Sequence, residues 1–308
     1  MDTIHPTVVA VGHVCSDTIC VLDGFPPENT SKHIESVDMQ SGGGASQAIV
    51  AFSRLGGTGG YVGNIGTDET GSYLTSELEH EGVDITYVRT CEGMSSFSFV
   101  CVNSQNASRT LINYHDKLPP IQFTPEIERY IASANYVHLD GTMYENAIQA
   151  AVIAKKHGVL VSLDGSSVQK DNVLNRELAK LADILIMSEI YPCWIMEDDD
   201  RERALLNIAT WGAMIVISTL GEKGCMAVVD GAIRYFPTFS DIVPIDTTGA
   251  GDVYHGAFLR GLELGYSLEK TIKFASAVSS MNCLTLGGRR GIPNFDETIA
   301  FMQAHPYR

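Results

Sequence analysis

The chain has 308 residues, 44% hydrophobic and 19% charged, which allows one large α/β domain, or two small ones, with a substantial core. It carries 21 Lys and Arg against 37 Asp and Glu, a formal net charge of −16. So acidic a surface repels a polyphosphate backbone, and we expect no nucleic-acid partner. No apolar run reaches the ~18 residues of a membrane span, and no leader pattern opens the chain. These features predict a cytoplasmic protein with no membrane partner.

The seven cysteines are odd in number and scattered, so their spacing indicates neither a disulfide framework nor a zinc site. Most are expected to be small buried apolar residues in a reducing compartment. Cys15 and Cys20 flank a short polar segment and remain open to a functional role.

Short apolar runs alternate with helical patterns along the whole chain. The runs lack strict alternation, which is typical of parallel strands buried on both faces. The predicted strands are Val8–Val11, Tyr61–Val62, Tyr136–Leu139, Val159–Leu163, Ile184–Met187 and Met214–Ile217. The predicted helices are Ala45–Leu55, Gly71–Leu78, Glu145–Lys156 and Arg201–Trp211. The pattern predicts a single three-layer α/β/α domain over 1–308, with parallel strands joined by right-handed helical crossovers.

Two regions, approximately 14–40 and 93–115, interrupt this rhythm. In the second, Ser95–Val102 and Arg109–Tyr114 alternate like half-exposed antiparallel strands around a turn. Such strands do not fit a fully covered parallel sheet, so they predict a small β-sheet lid. A lid excludes water from a reaction. An edge extension that mediates dimerisation is the alternative, and the two roles are compatible.

The strongest local signal is Asp-Thr-Thr-Gly-Ala-Gly-Asp at 246–252, which leads into a helical pattern from about Ala250 to Leu264, with Gly265 as its cap. The first turn has little side-chain bulk, so several unpaired N–H groups can point at one anion. Asp252 would repel phosphate, but beside an anion hole it is suited to take a proton from an attacking hydroxyl. The alternative is a turn and cap in which Asp252 only stabilises the helix dipole.

DTTGAGDVYHGAFL resembles the carboxyl-terminal signature of the ribokinase-like (PfkB) carbohydrate kinases. Further ordered matches are GHVCSDTI, SGGGASQAIVAFSRLGG followed by GNIGTDETG, STLGEKG and CLTLGGRRGIP. They run from Val8 to about Pro293. The resemblance implies a ribokinase-like fold with a β-sheet lid and an ATP-dependent kinase.

The resemblance also implies roles for particular residues. Asp252 would deprotonate a sugar hydroxyl, and the amides of Gly249, Ala250 and Gly251 would stabilise charge on the transferring phosphoryl group. The implied substrate-binding residues are Asp17, Gly42, Gly43, Gln47, Asn113 and Lys32. The implied nucleotide-binding residues are Arg109, Thr219, Gly221, Gly224 and Gly288.

The implied cofactors are Mg²⁺ and, near Asp246 and Thr248, a monovalent cation such as K⁺. The family's usual magnesium-linked Asn-x-x-Glu reads Ser188-Glu189-Ile190-Tyr191 here. Both end positions differ, which leaves Glu189 as a candidate or as an exposed acid at a helix start. Nucleotide phosphates and water can supply most of the magnesium shell. The amino-terminal signature has Gln47 where Asn is usual, so one sugar contact is expected to be longer or missing.

These departures, together with RTLINYHDKLP and GGRRGIP, resemble the ketohexokinase-like branch. Thr142 stands where an Arg would bind a sulfonate, so a sulfonated substrate is not favoured. We therefore expect an ATP-dependent kinase acting on a primary hydroxyl of a ketose or related sugar, with a homodimer through the lid as an open expectation.

Three other functions are alternatives for this sequence. A nucleoside kinase would need a slot for the base near the lid, and Phe97, Phe99 and Tyr114 could line one or could be the lid's buried face. A non-catalytic sugar sensor would account for the departures but not for an intact Asp252. A nicotinamide dehydrogenase is disfavoured because no Gly-x-Gly-x-x-Gly follows the first strand.

Overall fold

The computed structural model describes residues 5–106, 108–166 and 172–308. Its strands are β1 (Val8–Val11), β2 (Cys15–Leu22), β3 (Ser36–Gly42), β4 (Gly59–Gly66), β5 (Asp84–Cys91), β6 (Phe97–Asn103), β7 (Arg109–Tyr114), β8 (Tyr136–Leu139), β9 (Leu160–Gly165), β10 (Ile184–Met187), β11 (Ile215–Thr219), β12 (Cys225–Val229) and β13 (Ala232–Phe236). Its helices are α1 (Gly44–Arg54), α2 (Glu69–His80), α3 (Pro125–Ala132), α4 (Tyr144–Lys156), α5 (Asn172–Ala179), α6 (Tyr191–Met196), α7 (Arg201–Ala209), α8 (Ala250–Glu263), α9 (Leu268–Asn282) and α10 (Phe295–Ala304).

Nine strands form the central sheet, in the order β13-β12-β11-β10-β9-β8-β1-β4-β5. The seven strands from β11 to β5 are parallel, and β12 and β13 add an antiparallel hairpin at one edge. This confirms the predicted α/β fold with a parallel sheet. Strands β5, β12 and β13 were not predicted, and several predicted strands extend two or more residues further.

The sheet is buried on both faces. In β1, Val8 and Ala10 belong to one apolar core and Val9 and Val11 to the other. Helices α1, α2, α8 and α9 contribute to the first core, and α3 to α7 contribute to the second. Each buried aliphatic side chain stabilises the fold by roughly 1.5–3 kcal/mol. Burial on both faces explains why the strands read as continuous apolar runs.

The lid is a separate four-stranded sheet in the order β3-β2-β6-β7. Strand β2 pairs antiparallel with β3 and parallel with β6, and β6 pairs antiparallel with β7, as predicted for segments 95–102 and 109–114. The inner face packs Ile19, Val100 and Val102 against Leu286 of the loop after α9. The lid is therefore seated on the body by a small apolar core of its own.

In the central sheet, β1 pairs with β4 on one side and with β8 on the other. The order in which the strands are added to the sheet therefore reverses at β1. Open α/β sheets bind ligands at such a switch point, beyond the carboxyl ends of the strands. The lid stands above this edge of the sheet, and α8 begins beneath it. No helix in the described part of the chain is long and apolar enough to cross a membrane.

Candidate active site

Helix α8 begins at a glycine-rich turn. Its N-cap, Gly249, has φ 70°, and a Cβ there would lie 2.8 Å from the carbonyl oxygen of Gly288. Both the conformation and the close approach require glycine. The backbone N–H of Ala250 donates a long hydrogen bond, 3.3 Å, to Thr247 O. Because first-turn amides lack helical acceptors, a turn of this kind can donate N–H groups to an anion.

The loop before α8 is held by Asp246. Its buried carboxylate accepts hydrogen bonds from Thr248 N (2.9 Å), Thr248 Oγ1 (2.7 Å) and Gly287 N (2.9 Å). Two side chains of α9 fix the other side: Ser279 donates to Ala250 O at 2.8 Å, and Asn282 Nδ2 donates to Thr248 O at 3.3 Å. These bonds give the anion-binding turn a fixed shape before any ligand arrives.

Asp252 lies in the first turn of α8, half-buried. Burial, and then the negative charge of Asp164, raises the pKa of Asp252 to about 7. His255 lowers this pKa, whereas Asp140 and Asp17 raise it by smaller amounts. A carboxylate with a pKa near the working pH is suited to general-base catalysis. The negative charges of Asp17, Asp140 and Asp164 therefore all reach Asp252.

Asp17 faces the cleft beneath the lid. Register places it in one row with Gln40, Ser98 and Asn113 across the four lid strands. Its carboxylate accepts a hydrogen bond from Cys15 Sγ at 3.4 Å. Burial raises the pKa of Asp17, and the hydrogen bonds from Cys15 and Ser98 partly oppose that effect. Asn113 is exposed at the edge of the lid, so this row could contact a substrate along its length.

The glycine segment before α1 is shaped by close approaches. A Cβ on Gly42 would overlap the carboxylate of Asp17, and one on Gly43 (φ 97°) would overlap His13 O. Asp140, directly after β8, accepts hydrogen bonds from His13 N (2.7 Å) and Ala45 N (3.0 Å). It therefore joins the end of β1 to the start of α1 and fixes the path of the two glycines.

Gln47 is buried and turned toward the loop after α9. Its Oε1 accepts a hydrogen bond from Arg289 Nε at 2.9 Å, and Arg289 Nη2 donates to Ser46 Oγ at 2.7 Å. Burial lowers the pKa of Arg289 to about 10. A Cβ on Gly288 would lie 2.5 Å from Gln47 Nε2. The structure thus places Gln47 and Gly288 against each other, and Gln47 as a sugar ligand stays a prediction.

A cavity of about 410 Å³ opens on the other side of the α8 turn. It brings together the predicted nucleotide residues of the β11–β12 turn and the start of α8. Its lining includes Thr219, Gly221, Gly224, Thr247, Ala250 and Gly251, together with Phe239, Ile242, Tyr254 and Cys283. A cavity of this size suits a small-molecule ligand.

The last residues of the chain cover one wall of this cavity. The ring of Phe239 lies 5.2 Å from the ring of Tyr307 and 5.0 Å from that of Phe301. Two backbone bonds, from Arg308 N to Thr238 O and from Ser240 N to Pro306 O, hold the segment in place. Sequence reasoning did not assign this wall, because aromatic residues 62 or more positions from Phe239 carry no local motif.

Arg109 of β7 reaches out of the lid to the α8 loop, where its Nη1 lies 2.7 Å from Thr247 Oγ1. Lys32 is placed differently. Its Nζ pairs with Asp23 Oδ1 at 2.8 Å, beyond the end of β2 at Leu22. Asp17 lies five residues back along that strand, or about 16 Å at ~3.3 Å per residue. The structure therefore brings Arg109 to the loop before α8 and does not bring Lys32 to Asp17.

The positions of the family's magnesium motif hold no ready ligand set. Glu189 is exposed and pairs with Arg201 at 3.0 Å. Tyr191 is buried, where a Cβ on Gly165 would lie 3.1 Å from its ring. The hydroxyl of Ser188 is buried without a hydrogen-bond partner. Among the described residues, no group of three or more His, Cys, Asp or Glu is arranged to hold a metal ion.

The fold and this site, with an aspartate in the first turn of α8 and a cavity of about 410 Å³ beside that turn, are those of a phosphotransferase with an alcohol as acceptor. The chain belongs to the pfkB family of carbohydrate kinases, whose model matches residues 5–294. It is a sugar or nucleoside kinase that transfers phosphate from ATP.

Similar proteins include the ribokinase of Haemophilus influenzae, 27% identical over 309 residues, which span 97% of this chain and 99% of that protein. The ketohexokinase of Mus musculus is 23% identical over 303 residues, 95% and 98% of the two chains. Among solved structures, the ribokinase of Thermotoga maritima matches with a TM-score of 0.83 at 22% identity, covering 97% of this chain and 99% of that one. The expected similarity to a ketohexokinase is confirmed, beside similarity to ribokinases.

Proposed function

We propose that this protein phosphorylates a primary hydroxyl of a small neutral sugar, a ketose or closely related compound, with ATP as donor. The observation that carries the proposal is the position of Asp252 directly after Gly249, Ala250 and Gly251, in the turn that begins α8. Transfer to an alcohol requires a base beside an anion hole.

In this mechanism Asp252 accepts the hydroxyl proton as the sugar oxygen attacks the γ-phosphorus, and ADP leaves. The amides of Gly249, Ala250 and Gly251 donate hydrogen bonds to the transferring group, whose charge grows most in the transition state. Arg109 supports the same step from the lid, since its guanidinium already meets Thr247 beside that turn. Phosphoryl transfer depends mainly on positioning and charge neutralisation, which these groups supply.

The charges around the cleft favour a neutral sugar. Asp17 and Asp252 lie at the cleft, and the negative charges of Asp140 and Asp164 reach Asp252 and raise its pKa. Arg290 and Lys32 are paired with Asp38 and Asp23. Arg289 bonds to Gln47 and Ser46 and keeps its Nη1 buried without a partner, so it offsets part of the negative charge. Carboxylates bind sugar hydroxyls well, whereas a phosphate or sulfonate on the substrate would meet repulsion. Asp17, Gly42, Gly43 and Asn113 are the proposed sugar contacts.

The nucleoside alternative is supported less well. Phe97, Phe99 and Tyr114 alternate with the Asp17 row, so they lie on the outer face of the lid, away from the cleft. A base slot made of these rings would therefore not adjoin Asp17 within one chain.

The metal requirements follow from the residues present. The positions expected to hold Mg²⁺ do not fit as ligands, since Glu189 is paired with Arg201 and Tyr191 is buried; magnesium is proposed to enter with the nucleotide. For K⁺, the loop of Asp246 and Thr248 fits better, because the neighbouring Asn282 Oδ1 is buried without a partner. Rates in potassium compared with a large organic cation test this.

Two further parts of the proposal concern assembly and location. The outer lid face exposes Val37, Met39, Phe99 and Ile112, which suits a homodimer through the lid. All seven cysteines are free thiols, which is compatible with a cytoplasmic location.

The test is an ATP-coupled assay over D-fructose, D-tagatose, D-ribose, D-glucose, myo-inositol, adenosine and D-fructose 6-phosphate, with D252N as the matched inactive control. We expect turnover of a neutral sugar, at least tenfold above the phosphorylated one in kcat/KM. Preference for fructose 6-phosphate would refute the neutral-sugar assignment, and preference for adenosine would favour the nucleoside alternative.

A further inference from the structure

Helix α8 carries a second ionisable side chain one turn beyond Asp252. His255 follows at three positions, a spacing that places two side chains on one face of a helix. Its Nε2 lies 3.2 Å from Asp164 Oδ1, at the end of β9, and both side chains are only 4% exposed. A carboxylate and an imidazole buried this deeply add little net stability, because desolvation offsets most of the attraction. Its placement behind the cleft calls for another explanation.

On the side that faces the central sheet, the Asp164–His255 pair packs against the neutral imidazole of His138. The ring of His138, on β8, lies 5.2 Å from the ring of His255. Its Nδ1 is hydrogen-bonded to Ser162 Oγ at 3.2 Å. Burial, and then the charge of His255, lowers the pKa of His138 to about 3. His138 therefore carries no charge at neutral pH and leaves Asp164 as the ionic partner of His255.

Burial alone would raise the pKa of Asp164. The charge of His255 and hydrogen bonds from His255 and Ser166 outweigh that effect and hold the pKa below its usual range. Asp164 is thus an anion at neutral pH, and its charge is the largest single electrostatic influence on Asp252.

Helices α1 and α9 pack against α8, and their described residues place no charged side chain near the Asp252 end of α8. The ionisable side chain of α1 is Arg54, in the last turn of that helix. This turn lies near the carboxyl-terminal half of α8, because Arg260 Nε donates a hydrogen bond to Leu55 O. Those of α9 are Glu269, Lys270 and Lys273 in its first two turns, whereas its Ser279 meets the start of α8. Among the described residues, the ionisable groups that act on Asp252 or on the pair include Asp17, Cys15, Asp140, His138, Asp164, His255 and Tyr191.

We infer that Asp164 and His255 are positioning residues for phosphoryl transfer, a buried pair that acts through Asp252 by fixing the charge its carboxylate meets. The inference rests on the proposed role of Asp252 as the base. Asp17, Asp140 and Asp164 together oppose ionisation of Asp252, which would leave it protonated and inactive. His255 offsets part of that charge, so Asp252 stays a strong base that is still ionised near neutral pH.

Two substitutions should shift the pH at which Asp252 ionises in opposite directions. Asp164→Asn removes a negative charge and keeps an oxygen for His255, so Asp252 should ionise at lower pH, by half a unit or more. His255→Gln leaves Asp164 uncompensated, so Asp252 should ionise at higher pH by a similar amount. His157→Gln is the matched control, because it breaks a His–Glu pair of 2.9 Å on the surface. It should leave the profile unchanged.

The first readout is the pH profile of kcat/KM for the best neutral sugar of the assay panel, at saturating MgATP. The second needs no turnover: carbon-13 NMR of protein labelled at the aspartate carboxyl, with D252N to assign the Asp252 signal. Opposite shifts in the two variants, with the KM for ATP unchanged, support the inference. Profiles and Asp252 titrations that coincide within 0.2 unit, with only Tm lowered, overturn it.

A variant-free measurement covers the case in which the substitutions prevent folding. In the native protein, the NMR titration of Asp252 should lie well above the range of an exposed aspartate, because burial and the charge of Asp164 raise its pKa to about 7. An Asp252 that ionises in the range of an exposed aspartate overturns the inference. If no sugar is turned over, the proposed function fails, while the two NMR titrations still decide whether the pair controls Asp252.

Discussion

The guanidinium of Arg109 and the hydroxyl of Thr247 lie 2.7 Å apart, although 138 residues separate them in sequence. Their hydrogen bond joins the outermost lid strand to the loop before α8. A cation at this point lies beside the amides proposed to receive the phosphoryl group. Charge-assisted hydrogen bonds contribute about 1.5–3 kcal/mol. Arg109→Ala should therefore raise the KM for ATP about tenfold or more, with a smaller change in the KM for the sugar, in steady-state kinetics.

Arg109→Lys keeps the charge but not the planar fork, so it should recover only part of the loss. Arg129→Ala removes an equally exposed arginine of α3, which pairs with Glu126, and should behave as wild type. An unchanged KM for ATP in Arg109→Ala would mean that the lid does not contact the nucleotide.

Asp252→Asn should separate activity from stability. Loss of a general base lowers kcat by about 10²–10⁴-fold.

The pKa of Asp252 in the folded protein, about 7, lies above the usual value near 3.8. Ionisation of Asp252 therefore opposes folding, and the free energy of unfolding falls as pH rises between those values. The variant should therefore melt at a higher temperature than wild type at pH 8, with a smaller difference at pH 5. Differential scanning calorimetry at both pH values measures this, and a variant less stable at pH 8 would contradict it.

The same carboxylate sets the pH dependence of the wild-type enzyme. With a pKa of about 7, Asp252 is mostly protonated at pH 6 and mostly ionised at pH 8. Because only the ionised form accepts the hydroxyl proton, kcat/KM for the sugar should rise about tenfold between these pH values. The measurement uses buffers of constant ionic strength with ATP and magnesium saturating. A flat profile over this range would show that proton removal does not limit the reaction.

The fold could be predicted because fully buried parallel strands are apolar throughout. Strand β10 has four buried residues of four and was predicted at its observed bounds, whereas β5 is mostly half-buried or exposed and escaped notice. The anion-binding turn and Asp252 were also accessible, since seven consecutive residues carry that signal.

The rest of the site depends on contacts between distant segments. Asp140 binds Ala45 N across 95 positions, and Arg289 binds Gln47 across 242. No local pattern specifies such pairs, although an aspartate directly after a buried strand was a signal that could have pointed to Asp140. His255 lies within the recognised motif, yet its role depends on Asp164 of another element.

Tyr307 should matter for nucleotide binding, because its ring lies 5.2 Å from that of Phe239 in the wall of the nucleotide cavity. Removing a packed ring lets the wall relax, so Tyr307→Ala should raise the KM for ATP about threefold to tenfold with little effect on the KM for the sugar. Tyr307→Phe keeps the ring and should stay within twofold of wild type. Equal increases in both KM values would indicate general loss of structure instead.

The outer face of the lid should form the subunit contact. Register aligns Met39, Phe99 and Ile112 in one row, and these side chains are 55%, 44% and 50% exposed. Two such faces would bury each other's apolar surface at about 25 cal/mol per Å², and a charge in the row would oppose this. Ile112→Lys should therefore convert a dimer into a monomer in size-exclusion chromatography with light scattering. Val152→Lys alters a side chain of α4 that is 53% exposed and should leave the mass unchanged, whereas a wild-type protein that is monomeric at 50 µM would rule the contact out.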